Sequence, residues 1–118
     1  MKKFSFLLLL LVVVWSAAAQ DKSLYSKQWF IQNGDTLPFR VLLPKEHDIT
    51  KKYPVIFFLH GRGESGNDNE KQLTHGANLF LNDSVRNAFP AIVIFPQCSE
   101  KSYWSNVHTI AHGNQNGK

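Results

Sequence analysis

The feature that most constrains the fold of this chain is a short apolar run that ends in a cluster of glycines. Residues 55–59 read Val-Ile-Phe-Phe-Leu, follow Pro54, and lead through His60 into the glycine-rich segment 61–66. Continuous apolar runs of this length are typical of strands buried on both faces of a parallel sheet. Glycines then let the backbone turn sharply and approach a ligand closely. The pattern predicts a strand whose following loop lies at the carboxyl edge of an α/β sheet, where ligands bind.

The segments before this run predict an antiparallel β-hairpin. Residues 26–32 and 36–43 alternate in period two, and the dipeptide Asn33-Gly34 lies between them. Asn-Gly is a strong hairpin signal, because both turn residues must accept positive φ. Pro44 ends the second strand. The apolar positions in period two are Trp29 and Ile31 on the first strand and Leu37, Phe39 and Val41 on the second.

A helix is expected over residues 68–81, because four apolar side chains in this segment recur on one helical face. Asn67 is the expected N-cap, with Glu70 three positions later as in a capping box. Gly76 marks a point at which this helix divides in two. The four apolar positions are Leu73, Ala77, Phe80 and Leu81.

Residues 84–89 predict a further helical turn that ends at Pro90, and residues 91–95 predict a second strand. The resulting order of hairpin, strand, helix and strand indicates an α/β sheet. Without later strands as neighbours, strand 91–95 is expected to leave apolar edges exposed and prone to association. From about residue 105 onwards we expect a polar tail.

The first 19 residues are typical of a secretory signal peptide. Two lysines begin it, an apolar run follows over residues 4–15, and small residues at 16–19 precede the expected cleavage before Gln20. The run is shorter than the roughly 20 residues that a membrane-spanning helix needs. We therefore expect residues 20–118 to be secreted or periplasmic, with no stable membrane anchor after cleavage.

Charge and cysteine content exclude several classes of partner and of covalent structure. The sequence has 13 basic residues, two of which are the lysines of the signal peptide. Residues 20–118 therefore carry 11 basic and 9 acidic residues, a net charge of +2. This weak bias does not indicate a nucleic-acid partner. Cys98 is the only cysteine, so no internal disulfide forms. We expect it to pack at the end of a strand.

Short motifs along residues 36–104 together resemble a known family. They are Pro54–Glu64 (Pro-Val-Ile-Phe-Phe-Leu-His-Gly-Arg-Gly-Glu), Gly66–Asn69, Gln72-Leu73, His75-Gly76, Phe89-Pro90-Ala91, Val93, Pro96-Gln97-Cys98 and Trp104. This text resembles the N-terminal part of a carboxylesterase/phospholipase-type α/β-hydrolase, a group related to dienelactone-hydrolase-like and exported peptidase-like proteins. The resemblance implies that residues 20–118 form the N-terminal portion of an α/β-hydrolase sheet, which is incomplete.

The resemblance also implies a chemistry. It assigns one half of an oxyanion hole to the backbone N–H of Arg62, in a loop shaped by His60, Gly61 and Gly63. Trp104 either lines the substrate pocket or packs against neighbouring residues. The family's nucleophile lies in a later Gly-x-Ser-x-Gly elbow, followed by an Asp and a His, and this sequence contains no such elbow.

We therefore expect a fragment of an exported serine hydrolase that acts on carboxylic esters and is inactive by itself. Its partner is a small-molecule, lipid or carbohydrate ester, and no cofactor or metal is needed. Two other readings stay open: a non-catalytic exported binding module and a non-functional truncated product.

The glycines also spell a dinucleotide-binding pattern, Gly61-x-Gly63-x-x-Gly66. A hairpin precedes the strand where such a unit normally begins, and the next strand ends in Pro96-Gln97 without an acid to bind a ribose. The expected export also counts against this interpretation. A phosphate loop is disfavoured because no Lys-Ser/Thr pair follows the glycines.

Several residues with possible chemistry have simpler structural interpretations. Ser65 lacks the second glycine of a nucleophile elbow, and His60 is expected to hold its loop rather than transfer protons. His108 and His112 have helical spacing, but they lack the glutamate of a metalloprotease helix, and two ligands do not make a zinc site. Capping and the helix dipole account for three nearby carboxylates. These are Glu64, Asp68 and Glu70.

Overall fold

The computed structural model describes residues 21–105, which form a mixed four-stranded sheet with short helices. The strands are β1 (Ser26–Gln32), β2 (Asp35–Leu42), β3 (Val55–Phe57) and β4 (Ile92–Pro96). Their order in the sheet is β1-β2-β4-β3. β2 pairs antiparallel with both β1 and β4, whereas β3 and β4 run parallel. The sequence-based expectation of an α/β sheet is compatible with this arrangement.

The helical elements are short. They are the α-helices α1 (Ala77–Leu81) and α2 (Asp83–Ala88) and three 3₁₀ turns, at Lys22–Leu24, Arg62–Glu64 and Lys71–Leu73. Within residues 21–105, no helix has the length and apolar character needed to cross a membrane. The expected signal peptide, the tail beyond residue 105, and the pair His108 and His112 lie outside the described residues.

The β-hairpin forms as the Asn-Gly signal predicts. β1 and β2 pair from Ser26 with Val41 to Gln32 with Asp35. Asn33 and Gly34 both adopt positive φ, 53° and 84°. The left-handed turn matches the right-handed twist of the two strands and fixes their register.

The face of β2 that is buried is not the one that carries the period-two apolar residues. Pro38, Arg40 and Leu42 point into the protein, while Leu37 is exposed and Phe39 and Val41 are half-buried. β1 is exposed along its whole length, with Trp29 and Ile31 among its exposed side chains. The face is chosen by what packs on it, because Tyr25 and the segment 69–81 lie on the side of Arg40 and Leu42.

The expectation that strand 55–59 is buried on both faces is wrong for β3. The segment does form a strand parallel to β4, but all three residues of β3 are exposed. β3 lies at the end of the sheet order and has β4 as its one partner within residues 21–105. The strand 91–95 was expected to carry the exposed edges. β4 instead has a neighbour on each side, so within residues 21–105 the edge strands are β1 and β3.

The helix expected over residues 68–81 is divided, as Gly76 suggests. A 3₁₀ turn ends at Leu73, Gly76 adopts a φ of +81°, and α1 begins only at Ala77. The expected capping box of Asn67 and Glu70 does not form, since Glu70 is itself the N-cap of the 3₁₀ turn and its side chain makes no capping hydrogen bond. Asp68, not Asn67, accepts hydrogen bonds at its Oδ1 from the backbone N–H groups of residues 70 and 71, at 3.0 and 3.2 Å.

The core lies between one face of the sheet and α1. Phe95 of β4 is fully buried at its centre, where its ring stacks on Phe58 and meets Tyr25 and Phe80 edge to face. Tyr25 donates a hydrogen bond from its hydroxyl to the carbonyl of Ala77 at 2.9 Å. Burial raises the pKa of Tyr25 well above its usual range, although Arg86 opposes the shift. The remaining core residues are Leu42, Leu73, Leu81 and Val93.

Candidate functional site

The candidate site lies where the parallel strands β3 and β4 end. Parallel strands end at the same edge of a sheet, so the loop after β3 and the loop after β4 meet there. Several hydrogen bonds join these loops, and three of them surround His60 and Cys98. Cys98 donates its backbone N–H to Nε2 of His60 at 2.9 Å, Gly66 donates to the carbonyl of Cys98 at 2.9 Å, and the indole of Trp104 donates to the carbonyl of His60 at 2.9 Å.

His60 is engaged by backbone groups at both ring nitrogens. Its Nε2 accepts from Cys98, so the ring proton lies on Nδ1, which is 2.6 Å from the carbonyl oxygen of Gly61. The imidazole is buried, and its edge packs against the ring of Trp104 with 4.9 Å between the centroids. With both nitrogens occupied, His60 is suited to hold the loop and not to transfer protons.

The backbone N–H of Arg62 opens the 3₁₀ turn Arg62–Glu64. Gly61 precedes it in an extended conformation, with φ −76° and ψ 173°. The N–H groups of Glu64 and Ser65 are used within the turn, since Glu64 donates to the carbonyl of Gly61 and Ser65 to that of Arg62. Among residues 21–105, the N–H groups of Arg62 and Gly63 make no hydrogen bond.

The two glycines of this turn differ in how tightly they are confined. A Cβ added at Gly61 would lie 3.1 Å from Oε2 of Glu64, whereas one added at Gly63 would meet nothing within 4 Å. Neither glycine adopts a positive φ. The contact at Gly61 is with the end of a flexible glutamate side chain, so packing alone does not require glycine at either position.

The side chain of Arg62 contacts the loop that follows β4. The guanidinium donates to the carbonyl of Ser102 at 2.7 Å and to that of Glu100. It also lies over the ring of Tyr103, 4.6 Å from the centroid. These contacts fasten the loop after β4 to the turn after β3, and they assign the side chain to structure.

A pocket of about 270 Å³ adjoins this turn. Trp104 is partly exposed there, so it lines the pocket in addition to packing on His60. The two alternatives for Trp104, pocket wall or packing residue, are therefore compatible. The lining residues are Gly61, Arg62, Ser65, Cys98, Ser102, Tyr103, Trp104 and Ser105.

Ser65 and Cys98 are both buried beside the pocket, without the partners of a nucleophile. Ser65 Oγ lies 3.5 Å from the guanidinium of Arg62, and within residues 21–105 no histidine contacts it. A serine needs a neighbouring base to act as a nucleophile. Cys98 is buried two residues after the end of β4, close to the strand end where the sequence places it.

Each of the three carboxylates near the turn has an ion-pair or hydrogen-bond partner. Glu64 faces His75 at 3.4 Å. A hydrogen bond from Lys27 lowers the pKa of Glu70, and Arg40 acts in the same direction. Burial raises the pKa of Asp68, but hydrogen bonds from Gln97 and two backbone N–H groups outweigh it and leave the pKa below its usual value.

Both lowered pKa values favour carboxylates that stay ionised, unlike a general acid. In the part of the chain that the structure describes, no three His, Cys, Asp or Glu side chains are grouped to hold a metal ion.

The buried polar residues beneath the turn were not identified from the sequence. Arg40, Asn69, Gln72 and Gln97 are all buried and hydrogen-bonded to one another or to backbone groups. Gln97 entered the sequence analysis only as part of the motif Pro96-Gln97-Cys98. A polar residue directly after an apolar strand was the available signal, but it does not reveal which groups the side chain reaches.

Comparison with solved structures identifies one informative similarity. The chain is similar to a protein described as a thermostable esterase in its crystal structure, with a TM-score of 0.66 and 32% sequence identity. The match covers 75% of this chain and 25% of the esterase chain, so this chain spans a quarter of the length of that protein. No protein-family model matches, and no curated protein matches. Over the matched part, the chain has an esterase-like α/β fold.

Proposed function

We propose that this chain forms the N-terminal part of an exported serine hydrolase that cleaves carboxylic esters, of carboxylesterase or phospholipase type. In this proposal it supplies one half of the oxyanion hole through the backbone N–H of Arg62. The observation that carries the proposal is that this donor opens a turn at the carboxyl edge of two parallel strands, beside a pocket, with no acceptor among residues 21–105. The similarity to an esterase supports the same assignment.

The chemistry assigned to Arg62 is the stabilisation of developing charge. A serine adds to the ester carbonyl and gives a tetrahedral intermediate with a negatively charged oxygen. The Arg62 N–H and the N–H of the residue after the nucleophile donate hydrogen bonds to this oxygen. Collapse of the tetrahedral intermediate expels the alcohol and leaves an acyl-enzyme, which water then hydrolyses. Loss of one such donor typically lowers kcat by about 10²–10³-fold.

The other parts of the proposal follow from the sequence. Residues 1–19 act as the signal peptide, with cleavage before Gln20, and the product is secreted or periplasmic. The substrate is a small-molecule, lipid or carbohydrate ester bound beside Trp104. The nucleophile, base and acid are assigned to a Gly-x-Ser-x-Gly elbow, a histidine and an aspartate outside residues 1–118. No cofactor, nucleic acid or membrane anchor takes part.

The coding sequence that follows codon 118 provides the first test. We expect it to encode, in frame, a Gly-x-Ser-x-Gly motif followed by an Asp and a His. The 118-residue chain without these residues should not hydrolyse p-nitrophenyl acetate above the buffer rate. A stop codon directly after codon 118 would overturn the catalytic proposal, as would turnover by the 118-residue chain that survives Ser65→Ala.

The second test separates the backbone of Arg62 from its side chain in the longer protein. Arg62→Pro removes the N–H, and proline fits the first position of a helical turn. Gly61 is already in the extended conformation that proline requires of its predecessor. Arg62→Ala removes the same side chain but keeps the N–H. We expect kcat for p-nitrophenyl acetate to fall about 10²–10³-fold further in the proline variant than in the alanine variant. Equal activities would exclude this amide as an oxyanion donor.

A further inference from the structure

One buried carboxamide connects the end of β4 to the loop that carries the candidate oxyanion donor. Gln97 is fully buried, and its side chain makes three hydrogen bonds to that loop. Its Nε2 donates to the carbonyl of Glu64 at 3.2 Å and to Oδ1 of Asp68 at 2.8 Å. Its Oε1 accepts from the backbone N–H of Asn69 at 2.7 Å. One side chain therefore contacts three residues of the loop.

Gln97 is itself fixed to the sheet. Its backbone N–H donates to the carbonyl of Pro38 on β2 at 2.8 Å. Its carboxamide also packs against Gly66, where a Cβ would come within 3.3 Å of Nε2. Gly66 in turn donates its N–H to the carbonyl of Cys98. The loop is thus attached to the end of β4 after the Arg62 turn, through Gln97, as well as before it, through His60.

We propose that Gln97 is a positioning residue for the turn Arg62–Glu64, an inference that rests on the proposed function. It acts by fixing the carbonyl of Glu64, the last residue of the turn, and the residues that follow, so that the Arg62 N–H points into the pocket. It touches neither the substrate nor the reacting atoms.

A carboxamide is the side chain that this position requires. The carbonyl of Glu64 and the carboxylate of Asp68 both need a donor, while the N–H of Asn69 needs an acceptor. Glutamine supplies two N–H donors and an oxygen acceptor from one planar group. Glutamate keeps the acceptor but offers no donor when ionised. Methionine keeps the length but leaves the carbonyl of Glu64 and the N–H of Asn69 without this partner, while Asp68 retains its two backbone donors.

The test compares local order at the turn with order in the core, using the 118-residue chain at low micromolar concentration. Hydrogen exchange read by mass spectrometry follows three backbone N–H groups. Those of Glu64 and Ser65 close the turn, and that of Gly66 joins the loop to Cys98. We expect Gln97→Met and Gln97→Glu to raise their exchange rates at least tenfold. Amides of β2 and β4 that pair with each other serve as the internal reference and should change much less.

Gln72→Met is the matched control. Gln72 is also fully buried and donates from its carboxamide to Oδ1 of Asn69, but it makes no hydrogen bond to Glu64 or Asp68. We expect this variant to lower the melting temperature by an amount comparable to that of Gln97→Met while the turn keeps its exchange rates relative to the core. If exchange rates rise uniformly throughout the chain in Gln97→Met and in Gln72→Met, Gln97 is a packing residue and not a positioning residue.

The outcome is independent of catalysis. If the turn exchanges at the wild-type rate in Gln97→Glu and in Gln97→Met, the positioning role is wrong while the oxyanion assignment stands. If the exchange result is as expected but Arg62→Pro matches Arg62→Ala in the longer protein, the turn is held by Gln97 for a purpose other than ester hydrolysis.

Discussion

Individual polar side chains, more than apolar ones, determine how this small core is organised. Arg40 lies on the buried face of β2 and donates to the carbonyls of Asn69 and Tyr25 at 2.6 and 2.7 Å, and to Glu70 at 2.5 Å. A buried charge is tolerated only when it is paired and hydrogen-bonded. These contacts attach the segment after the Arg62 turn to the sheet. They explain why a basic residue, and not an apolar one, occupies this buried position of β2.

The hydroxyl of Tyr25 gives a prediction at the residue scale. Tyr25→Phe removes the buried hydrogen bond from the hydroxyl to the carbonyl of Ala77, the first residue of α1. We expect the free energy of unfolding to fall by about 0.5–1.5 kcal/mol, measured by urea denaturation. Tyr103→Phe, at a half-exposed residue, is the control and should change it by less than about 0.5 kcal/mol. Equal effects would mean that the buried hydrogen bond contributes nothing specific.

The lowered pKa of Glu70 gives a second residue-scale prediction. A carboxyl group with a folded pKa below its unfolded value stabilises the fold above that unfolded value, about 4.3, and loses this contribution as the pH falls through the folded pKa. The wild-type free energy of unfolding should therefore decrease between about pH 5 and pH 3. Glu70→Gln should flatten this decrease, and Lys27→Met should flatten it in part. Parallel curves for all three proteins in urea titrations would contradict the assignment.

At the scale of elements, two glycines with positive φ fix the connections, for different reasons. Gly34, at φ +84°, completes the hairpin turn in open space. Gly76, at φ +81°, separates α1 from the preceding 3₁₀ turn, and the ring of Phe58 lies where its Cβ would be. The conformation of the hairpin turn therefore explains Gly34. Gly76 is explained in addition by the close contact between the start of α1 and the ring of Phe58, which follows β3.

Alanine at each glycine separates backbone strain from steric overlap. Gly34→Ala adds only the cost of a left-handed conformation, about 1–2 kcal/mol. Gly76→Ala adds the same cost and a Cβ placed 2.5 Å from the Phe58 ring, so we expect a further loss of about 1–3 kcal/mol. Thermal and urea denaturation of both variants measure the difference. A smaller loss for Gly76→Ala than for Gly34→Ala would contradict the contact with Phe58.

At the scale of the whole molecule, β3 is an exposed edge strand of the sheet, as β1 is at the other end. Val55 and Phe57 share one face of this edge strand, and Phe57 is 65% exposed. An unpaired strand edge with apolar side chains is a template for association with another chain. The free edge and the exposed apolar face lie together at β3, so we expect poor soluble expression and self-association of the 118-residue chain.

A charge on β3 tests this expectation. Phe57→Lys should lower the fraction of oligomer in sedimentation velocity at a fixed concentration, because it places a charge at the edge where association begins. Ile49→Lys is the matched control, since Ile49 is 90% exposed but lies outside the strands. A sharp two-state melt of a monomeric wild-type chain, or equal effects of both lysines, would argue against β3 as the site of association.

Local patterns in the sequence were sufficient for the turns and for the positions of the strands. Asn33-Gly34 predicted the hairpin because the left-handed conformation of its turn is a property of those residues. The glycine-rich segment predicted a turn after a strand, and Gly76 the division of the helix. The expected capping box of Asn67 and Glu70 does not form, because Asp68 accepts the hydrogen bonds that precede the 3₁₀ turn.

The burial of each strand was decided only by the tertiary structure. The run 55–59 is apolar enough for a strand covered on both faces, yet β3 is exposed because its place at the end of the sheet order leaves it one partner within the described residues. The buried face of β2 follows from the acceptors that surround Arg40. Which carbonyl Gln97 reaches depends on how two loops meet at the sheet edge.

The sequence by itself therefore determined the features that depend on near neighbours: the two turns and the positions of the strands. Backbone conformation at a glycine or proline is set within a few residues, so the chain carries that information locally. Sheet order, the buried side of each strand and the Gln97 contacts were decided by the tertiary structure alone. They depend on groups some 28 to 33 residues apart along the chain, which come together only when the strands pair.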